Sequence, residues 1–325
     1  MIIARRAAAC LSGIILGSAV AQSADMAQNY PDRPVRLIVA SGAGGGADFM
    51  GRVVALKLSE KQGYAMVVDN RGGAGGIIGA DLVAKATPDG YTLGLANNTT
   101  HVMTPVFNRR VTYHPLRDFT PISLISYAPL LLAAATTLPA RTVSELIALA
   151  AAKPDTLNYA SSGSQSHLAG ELLCINTGIK AVNVAYKSSG QGLAALLSAE
   201  AHFMFISMPA ALPLVQGGRV RALAITGAKR SAQLPAVPTF AESGVRGFDI
   251  NPWFGVLGPA RLPQVIVRKL HGDIARVMQI DETKQLLAGQ GAETVGSTPE
   301  EFAAVIKQDL ELWTRVAERT GLRID

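Results

Sequence analysis

The chain has 325 residues, 49% of them hydrophobic and 17% charged, a balance that excludes disordered and fibrous classes. Removing an N-terminal leader takes Arg5 and Arg6 from the 30 basic residues and leaves the 24 acidic ones, so the excess is about +4 and lacks the clustered Lys/Arg stripe that nucleic acid requires. About 300 mature residues exceed one comfortable core, so two lobes are expected.

Arg5 and Arg6 precede an apolar segment, Ala7 to Val20, that closes on Ala19-Val20-Ala21. Charged head, apolar middle and small-residue triplet make a secretory leader over 1–21, cleaved after Ala21 and too short to span a bilayer with any margin. No cysteine stands at the cleavage point, so a lipid anchor is excluded and a soluble periplasmic protein is expected. Cys10 leaves with the leader. Cys174, inside Leu172-Leu173-Cys174-Ile175, is expected as a buried, inert thiol, and the mature chain forms no internal disulfide.

Pro34 to Leu58 is the stretch around which the mature chain is organised. Val35, Leu37 and Val39 belong to a β-branched run that predicts a buried strand, which ends in Ser41-Gly42-Ala43-Gly44-Gly45-Gly46. Phe49, Met50, Val53, Val54, Leu56 and Leu58 then recur at roughly helical spacing. Strand, glycine loop and helix together aim the first-turn N–H groups and the positive end of the helix dipole at whatever lies over the loop, a ready anion site. Gly42 to Ala47 also fits the dinucleotide pattern G-x-G-x-x-[GA], with Asp69 placed as a ribose-binding acid, so an exported NAD-type oxidoreductase has to be weighed.

The same device recurs along the chain. Met66 to Val68 predicts a strand, followed by the glycine loop Asn70 to Gly76 and a helix from Ile77 to Lys85. Thr87-Pro88-Asp89-Gly90 is a turn by composition, and a third strand over Tyr91 to Ala96 ends in Asn97-Asn98-Thr99-Thr100. A cofactor fold needs only the first such loop; three argue for an anion cradle at the carboxyl edge of an open sheet. Ile122 to Ala134, with Pro129 inside it, is too long for one simple strand and is read as a crossing between lobes. Thr142 and Glu145 predict a capping box opening a helix through Ala152. A short strand, Leu157 to Ala160, then ends in Ser161 to His167 before a helix from Leu168 to Thr177. Strands are predicted over Val182 to Tyr186, Ala201 to Ser207 and Val220 to Thr226. Helices are predicted over Gly190 to Ala199 and ending at Leu214 to Gly218, with closing helices over Gln264 to Met278, Thr283 to Gly289 and Pro299 to Thr320.

Catalytic constellations do not assemble. His101, His114, His167, His202 and His271 share no H-x-x-x-H or H-E-x-x-H spacing, so no metal site is expected. Gly163-Ser164-Gln165-Ser166-His167 lacks the second glycine of a nucleophile elbow. Asp48 and Arg52, at i,i+4, read as a cap plus a surface pair, and Lys187 after Tyr186 reads equally as a lysine that meets an anion or as a solvated strand-end lysine.

Taken together, Tyr30-Pro31, Gly44-Gly45-Gly46-Ala47-Asp48 with Arg52, Val68-Asp69-Asn70-Arg71 with Gly73-Ala74-Gly75-Gly76, and Pro88-Asp89-Gly90-Tyr91-Thr92 carry a resemblance. So do Arg117-Asp118-Phe119, Gly163-Ser164 with His167-Leu168-Ala169-Gly170-Glu171, and Pro238-Thr239 with Glu242-Ser243-Gly244. In this order, over essentially the whole mature chain, they resemble the Bug-type periplasmic solute receptors of tripartite tricarboxylate transporters. The resemblance implies a type II periplasmic-binding fold, in which two α/β lobes joined by two crossing strands close on a carboxylate. It implies no enzyme and no cofactor, with the membrane components of such a transporter as partners. Lobe one is expected at 25–126 and 250–325, lobe two at 127–249, in a monomer. A ligand-sensing subunit of a signalling system uses the same closed form and stays open as an alternative. Two positions depart from the pattern: Ala47 stands where many relatives have Thr, and Ser207 where many have Asp or Asn.

One carboxylate is expected over Ser41, Gly44, Gly45, Gly46, Ala47 and Asp48, flanked by Gly73, Ala74 and Asn98. The other end of the ligand is expected against Ser161, Ser162, Gly163, Ser164 and Ser207, which supply neutral donors and no acid. A free α-ammonium would want an acid there. A di- or tricarboxylate, or an aromatic monocarboxylate, is therefore favoured over aspartate or glutamate, unless Asp48 turns inward.

Overall fold

The computed structural model describes residues 30–321 apart from 163, 187, 247 and 249; the leader with its Ala21 cleavage site, Gly163 and Lys187 lie outside the described residues. One sheet joins β1 (Val35–Val39), β2 (Met66–Asn70), β3 (Thr92–Asn97), β4 (Phe119–Tyr127), β10 (Trp253–Pro259) and β11 (Glu293–Thr294) in the order β2-β1-β3-β10-β4-β11. The other joins β5 (Leu130–Ala135), β6 (Asn158–Ser161), β7 (Val182–Ala185), β8 (Phe203–Ser207) and β9 (Val220–Ile225) in the order β7-β6-β8-β5-β9.

These orders are one arrangement used twice. In each lobe three consecutive strands run parallel with the first in the middle, β2-β1-β3 and β7-β6-β8. Beside the third lies an antiparallel strand that has just arrived from the other lobe, β10 in lobe one and β5 in lobe two. The apolar run at 122–134 thus serves two sheets: it leaves the first at Tyr127 and enters the second at Leu130. Between them, Ala128 N–H donates to the Pro252 carbonyl at 2.6 Å, so the two crossing segments are bonded to each other.

The helices are α1 (Gly46–Gln62), α2 (Ile77–Ala84), α3 (Thr104–Phe107), α4 (Val143–Ala152) and α5 (Ser164–Thr177) in the first half. The second half holds α6 (Ser189–Leu197), α7 (Met208–Gln216), α8 (Gln264–Met278), α9 (Asp281–Ala288) and α10 (Pro299–Thr320). Strand β1 is buried except at Arg36, as a central parallel strand must be. Helix α1 lies directly on it because Gly51 faces the strand: a Cβ there would stand 2.9 Å from Val39 Cγ2. Helix α8 is pinned behind α1 by Asp273, 1% exposed, which accepts the Tyr64 hydroxyl at 2.6 Å and pairs with Lys269 and Arg276.

Two helices begin earlier than the apolar spacing predicts. Helix α1 starts at Gly46 rather than at Phe49, and α5 at Ser164 rather than Leu168, because glycine and serine open helices without an apolar signature. The turns after β3 have no signature in the sequence: Thr99–Met103 is π-helical and leads straight into α3.

Candidate functional site

The doubled topology decides what faces the space between the lobes. The helical turns after the first and third strands of each parallel trio converge there: α1 after β1, the π-helical turn after β3, α5 after β6 and α7 after β8. Between them lies a cavity of about 430 Å³. Gly46 and Ala47 line it from the first turn of α1, Asn97, Asn98 and Thr99 from the β3 end, Gln165 from α5, and Ser207 with Met208 from the start of α7. Phe49, Met50, Trp253 and Phe254 make its apolar walls, the crossing residues Ala128, Pro129 and Pro252 its back, and Gln290 reaches in from the turn after α9. None of the described lining residues is charged.

The first turn of α1 has no side-chain cap; Gly45 precedes it in extended backbone and Gly44, at φ +83°, takes the left-handed turn that glycine permits. Its N–H groups lack intrahelical acceptors and carry the positive end of the dipole, so they suit an anion. Helix α7 likewise has no side-chain cap at Ser207, though Pro209 removes one donor from its first turn. Anion attraction in this cleft therefore comes from backbone groups, strongest at α1.

Asp48 is turned away from that role. Its carboxylate accepts the Gly44 N–H at 2.9 Å and Arg52 Nε at 3.0 Å, with its side chain only 6% exposed. It staples the glycine loop to its own helix and is neutralised by Arg52, which leaves the cleft side of the first turn receptive. The Arg52 guanidinium, and after it the Gly44 N–H, hold the Asp48 carboxyl below the usual carboxylate range. A lowered folded value means that the group stabilises the fold fully above its ordinary value of 3.8 and ceases to do so as pH falls through the folded value. Asp48→Asn should therefore lower stability at pH 7, and chemical unfolding from pH 7 to pH 3 should show a smaller acid loss in the variant than in the wild type.

Asn98 lines the cavity, but its side chain is spent on architecture. Its Oδ1 accepts the Trp253 backbone N–H at 2.5 Å, its Nδ2 donates to Asp309 Oδ2 at 2.7 Å, and Trp253 Nε1 donates to the same oxygen at 2.8 Å. Asp309 on α10 thereby fixes the aromatic wall. Of the other expected residues, Ser41, Gly44 and Gly45 precede α1 and are not among the cavity's lining residues, Gly73 packs beside Ile78, and Ser161 is buried at the end of β6. Ser162 shares a hydrogen bond with Ser189 at 2.9 Å, while Ala74 and Ser164 meet in a second cavity. Asp69, the acid a ribose would need, is held by Arg36 Nε at 2.7 Å and Arg71 Nε at 2.9 Å. Sequence reasoning misses Phe49, Met50, Gln165, Met208, Trp253, Phe254 and Gln290. The one sequence signal for any of them is the aromatic pair in Asn251-Pro252-Trp253-Phe254-Gly255.

The lobes also touch beside the cavity. Gln233 Nε2 donates to the Ala288 carbonyl at 2.5 Å, and Gly291, at φ +64°, lies so close to α7 that a Cβ on it would fall 2.2 Å from Met208 Cβ.

Residues 50–322 match the family described as "Tripartite tricarboxylate transporter family receptor". Protein BugT of Bordetella pertussis (strain Tohama I) is 35% identical over 315 residues, 96% of this chain and 97% of the relative. The R. palustris protein Rpa4515, solved with adipate, is 36% identical, with a TM-score of 0.78 over 90% of this chain and 99% of the other. MatC (Rpa3494) from Rhodopseudomonas palustris, solved with bound malate, is 29% identical, with a TM-score of 0.74 over 88% and 99%.

Proposed function

Because the chain belongs to the tripartite tricarboxylate transporter receptor family, a family of Bug-type solute receptors and not of enzymes, we propose that it captures a small carboxylate in the periplasm and delivers it to the membrane components of such a transporter. The observation that carries the reading is the cleft itself: a cavity of about 430 Å³ with no charged side chain among its described lining residues, bounded by helix N-termini from both lobes. A ligand with a free ammonium group finds no acceptor acid among the described lining residues, and Asp48 is already engaged by Gly44 and Arg52. Apolar walls and polar ends suit a linear dicarboxylate, in keeping with the adipate and malate of the two R. palustris relatives. The leader over 1–21 directs the chain to that compartment.

We take the lobes as 25–126 with 250–325, and 127–249, hinged where Ala128 bonds Pro252. Ligand touching α1 and α7 at once stabilises the closed form by differential affinity. Titration calorimetry of refolded, ligand-stripped protein against mono-, di- and tricarboxylates, amino acids and neutral sugars tests the reading. The carboxylate that binds should add about 2.7 kcal/mol of unfolding free energy at a hundred times its dissociation constant, and solution scattering should show a smaller radius of gyration with it. Binding of sugars alone, or of an amino acid in preference to every dicarboxylate, would overturn it.

A further inference from the structure

The crossing segments have two sides. In lobe one, β10 and β4 lie between β3 and β11, and in lobe two β5 lies between β8 and β9. The ligand cavity is on the β3 and β8 side, where Asn97 and Ser207 end those strands. On the β11 and β9 side the space between the lobes holds a rear cavity of about 240 Å³. Glu293 of β11 lines it from lobe one, and Gly227 with Lys229, just past β9, from lobe two. Pro129 lines both cavities, so the crossing segments are what separates them.

Lobes that turn about these segments act as a lever, and what widens the cavity on one side narrows the cavity on the other. In this structure the lobes touch beside the ligand cavity, at Gln233 with Ala288 and at Gly291 with Met208, and the rear cavity stands open. That rear cavity carries one charge of each sign, one on each lobe. Lys229 and Glu293 are both exposed, and among the described residues neither forms an ion pair. Asn251 lines the same cavity, and its buried Oδ1 has no donor, a cost that an approaching ammonium group removes. Gly227 packs on Pro129, where an added Cβ would come 3.2 Å from Pro129 Cβ, so the loop that carries Lys229 starts at the pivot.

We propose that Lys229 and Glu293 are a latch for the open form. As the ligand cleft opens, the rear cavity narrows, the two charges pair, and Lys229 comes within reach of Asn251. Closure on a ligand breaks the latch, so each binding event costs its energy and release becomes easier. The latch thereby sets affinity from the far side of the pivot, with no contact to the ligand. This rests on hinge closure of the lobes and not on which solute is bound.

Calorimetry against adipate and malate compares wild type, Lys229→Met, Glu293→Gln and the swapped double variant Lys229→Glu with Glu293→Lys. Each neutral variant should tighten the dicarboxylate that wild type binds by about two- to fivefold, the range of an exposed ion pair. The double swap should return to the wild-type value, and about 0.5 M sodium chloride should bring wild type to the affinity of the neutral variants. Lys229→Glu alone sets two carboxylates against each other in the rear cavity, so its ligand-free form should have a smaller radius of gyration than ligand-free wild type. Unchanged or weaker binding in both neutral variants, or equal tightening in the double swap, overturns the latch. Binding that leaves the wild-type radius of gyration unchanged overturns hinge closure and the latch with it. If wild type binds neither dicarboxylate, the solute reading falls while scattering still decides the latch: a ligand-free Lys229→Glu protein no more compact than wild type overturns it.

Discussion

Asp273→Ala should lower the unfolding free energy by about 3 kcal/mol, a large share of the margin by which a domain of ordinary stability stays folded. The carboxylate is 1% exposed and accepts the Tyr64 hydroxyl at 2.6 Å, a hydroxyl from a ring that is itself 1% exposed. Truncation leaves that hydroxyl buried without an acceptor, while Lys269 and Arg276, whose side chains are 33% and 64% exposed, regain water. The desolvated tyrosine therefore sets most of the cost. Asp273→Asn keeps an acceptor of the same shape and should lose clearly less. Urea unfolding of both variants checks the order, and equal losses would show that charge rather than the tyrosine hydrogen bond holds α8 against α1. The ligand cleft lies at the sheet's carboxyl edge and Asp273 is not among its lining residues, so residual folded Asp273→Ala should bind with wild-type affinity.

Much of this architecture is legible from one sequence. Glycine and serine loops that end apolar strands mark the carboxyl edges of both sheets, and motif order along the chain fixes the family. Legibility ends where distance in sequence begins. Asn98 reads as a polar ligand residue, yet its amide is claimed by Trp253 and by Asp309, 211 residues away. Trp253 enters the cleft because β10, arriving from the other lobe, is inserted beside β3. No local pattern carries that insertion. The run at 122–134 is continuous in hydropathy, and only Pro129 hints that it serves two sheets. Serines 161 and 162 read as cleft donors because their loop matches the first glycine loop. The third-strand loop at Ser207, rather than the first-strand serines, takes the cleft position, because α5 begins at once and presents Gln165 instead.

Gly291→Ala should raise the dissociation constant for the ligand about thirtyfold, equivalent to roughly 2 kcal/mol, with little loss of fold stability. In the structure Gly291 of lobe one abuts Met208, the first residue of α7 in lobe two, with no room for a side chain: a Cβ would stand 2.2 Å from Met208 Cβ. Two backbones can approach this closely only if one residue is glycine, and φ +64° at Gly291 adds a second reason for it. An added methyl cannot be absorbed by a rotamer change, because the atom it meets is a Cβ fixed to the α7 backbone. Relief comes from moving the lobes apart, which also strains the Gln233 to Ala288 hydrogen bond at 2.5 Å and withdraws Gln290 from the cavity it lines. Binding then has to drive a closure that has become costlier, and the apparent affinity falls by the fraction of molecules still able to close. Gly289→Ala is the matched control: its φ is −57°, and an added Cβ meets only carbonyl oxygens of its own turn at 3.5 Å. Calorimetry and small-angle scattering on the two variants separate the outcomes. Gly291→Ala should bind weakly and keep the larger radius of gyration at ligand concentrations that compact both wild type and Gly289→Ala. Wild-type affinity in Gly291→Ala would mean that this contact persists unchanged through opening and closing, and that the lobes turn about it rather than meet at it.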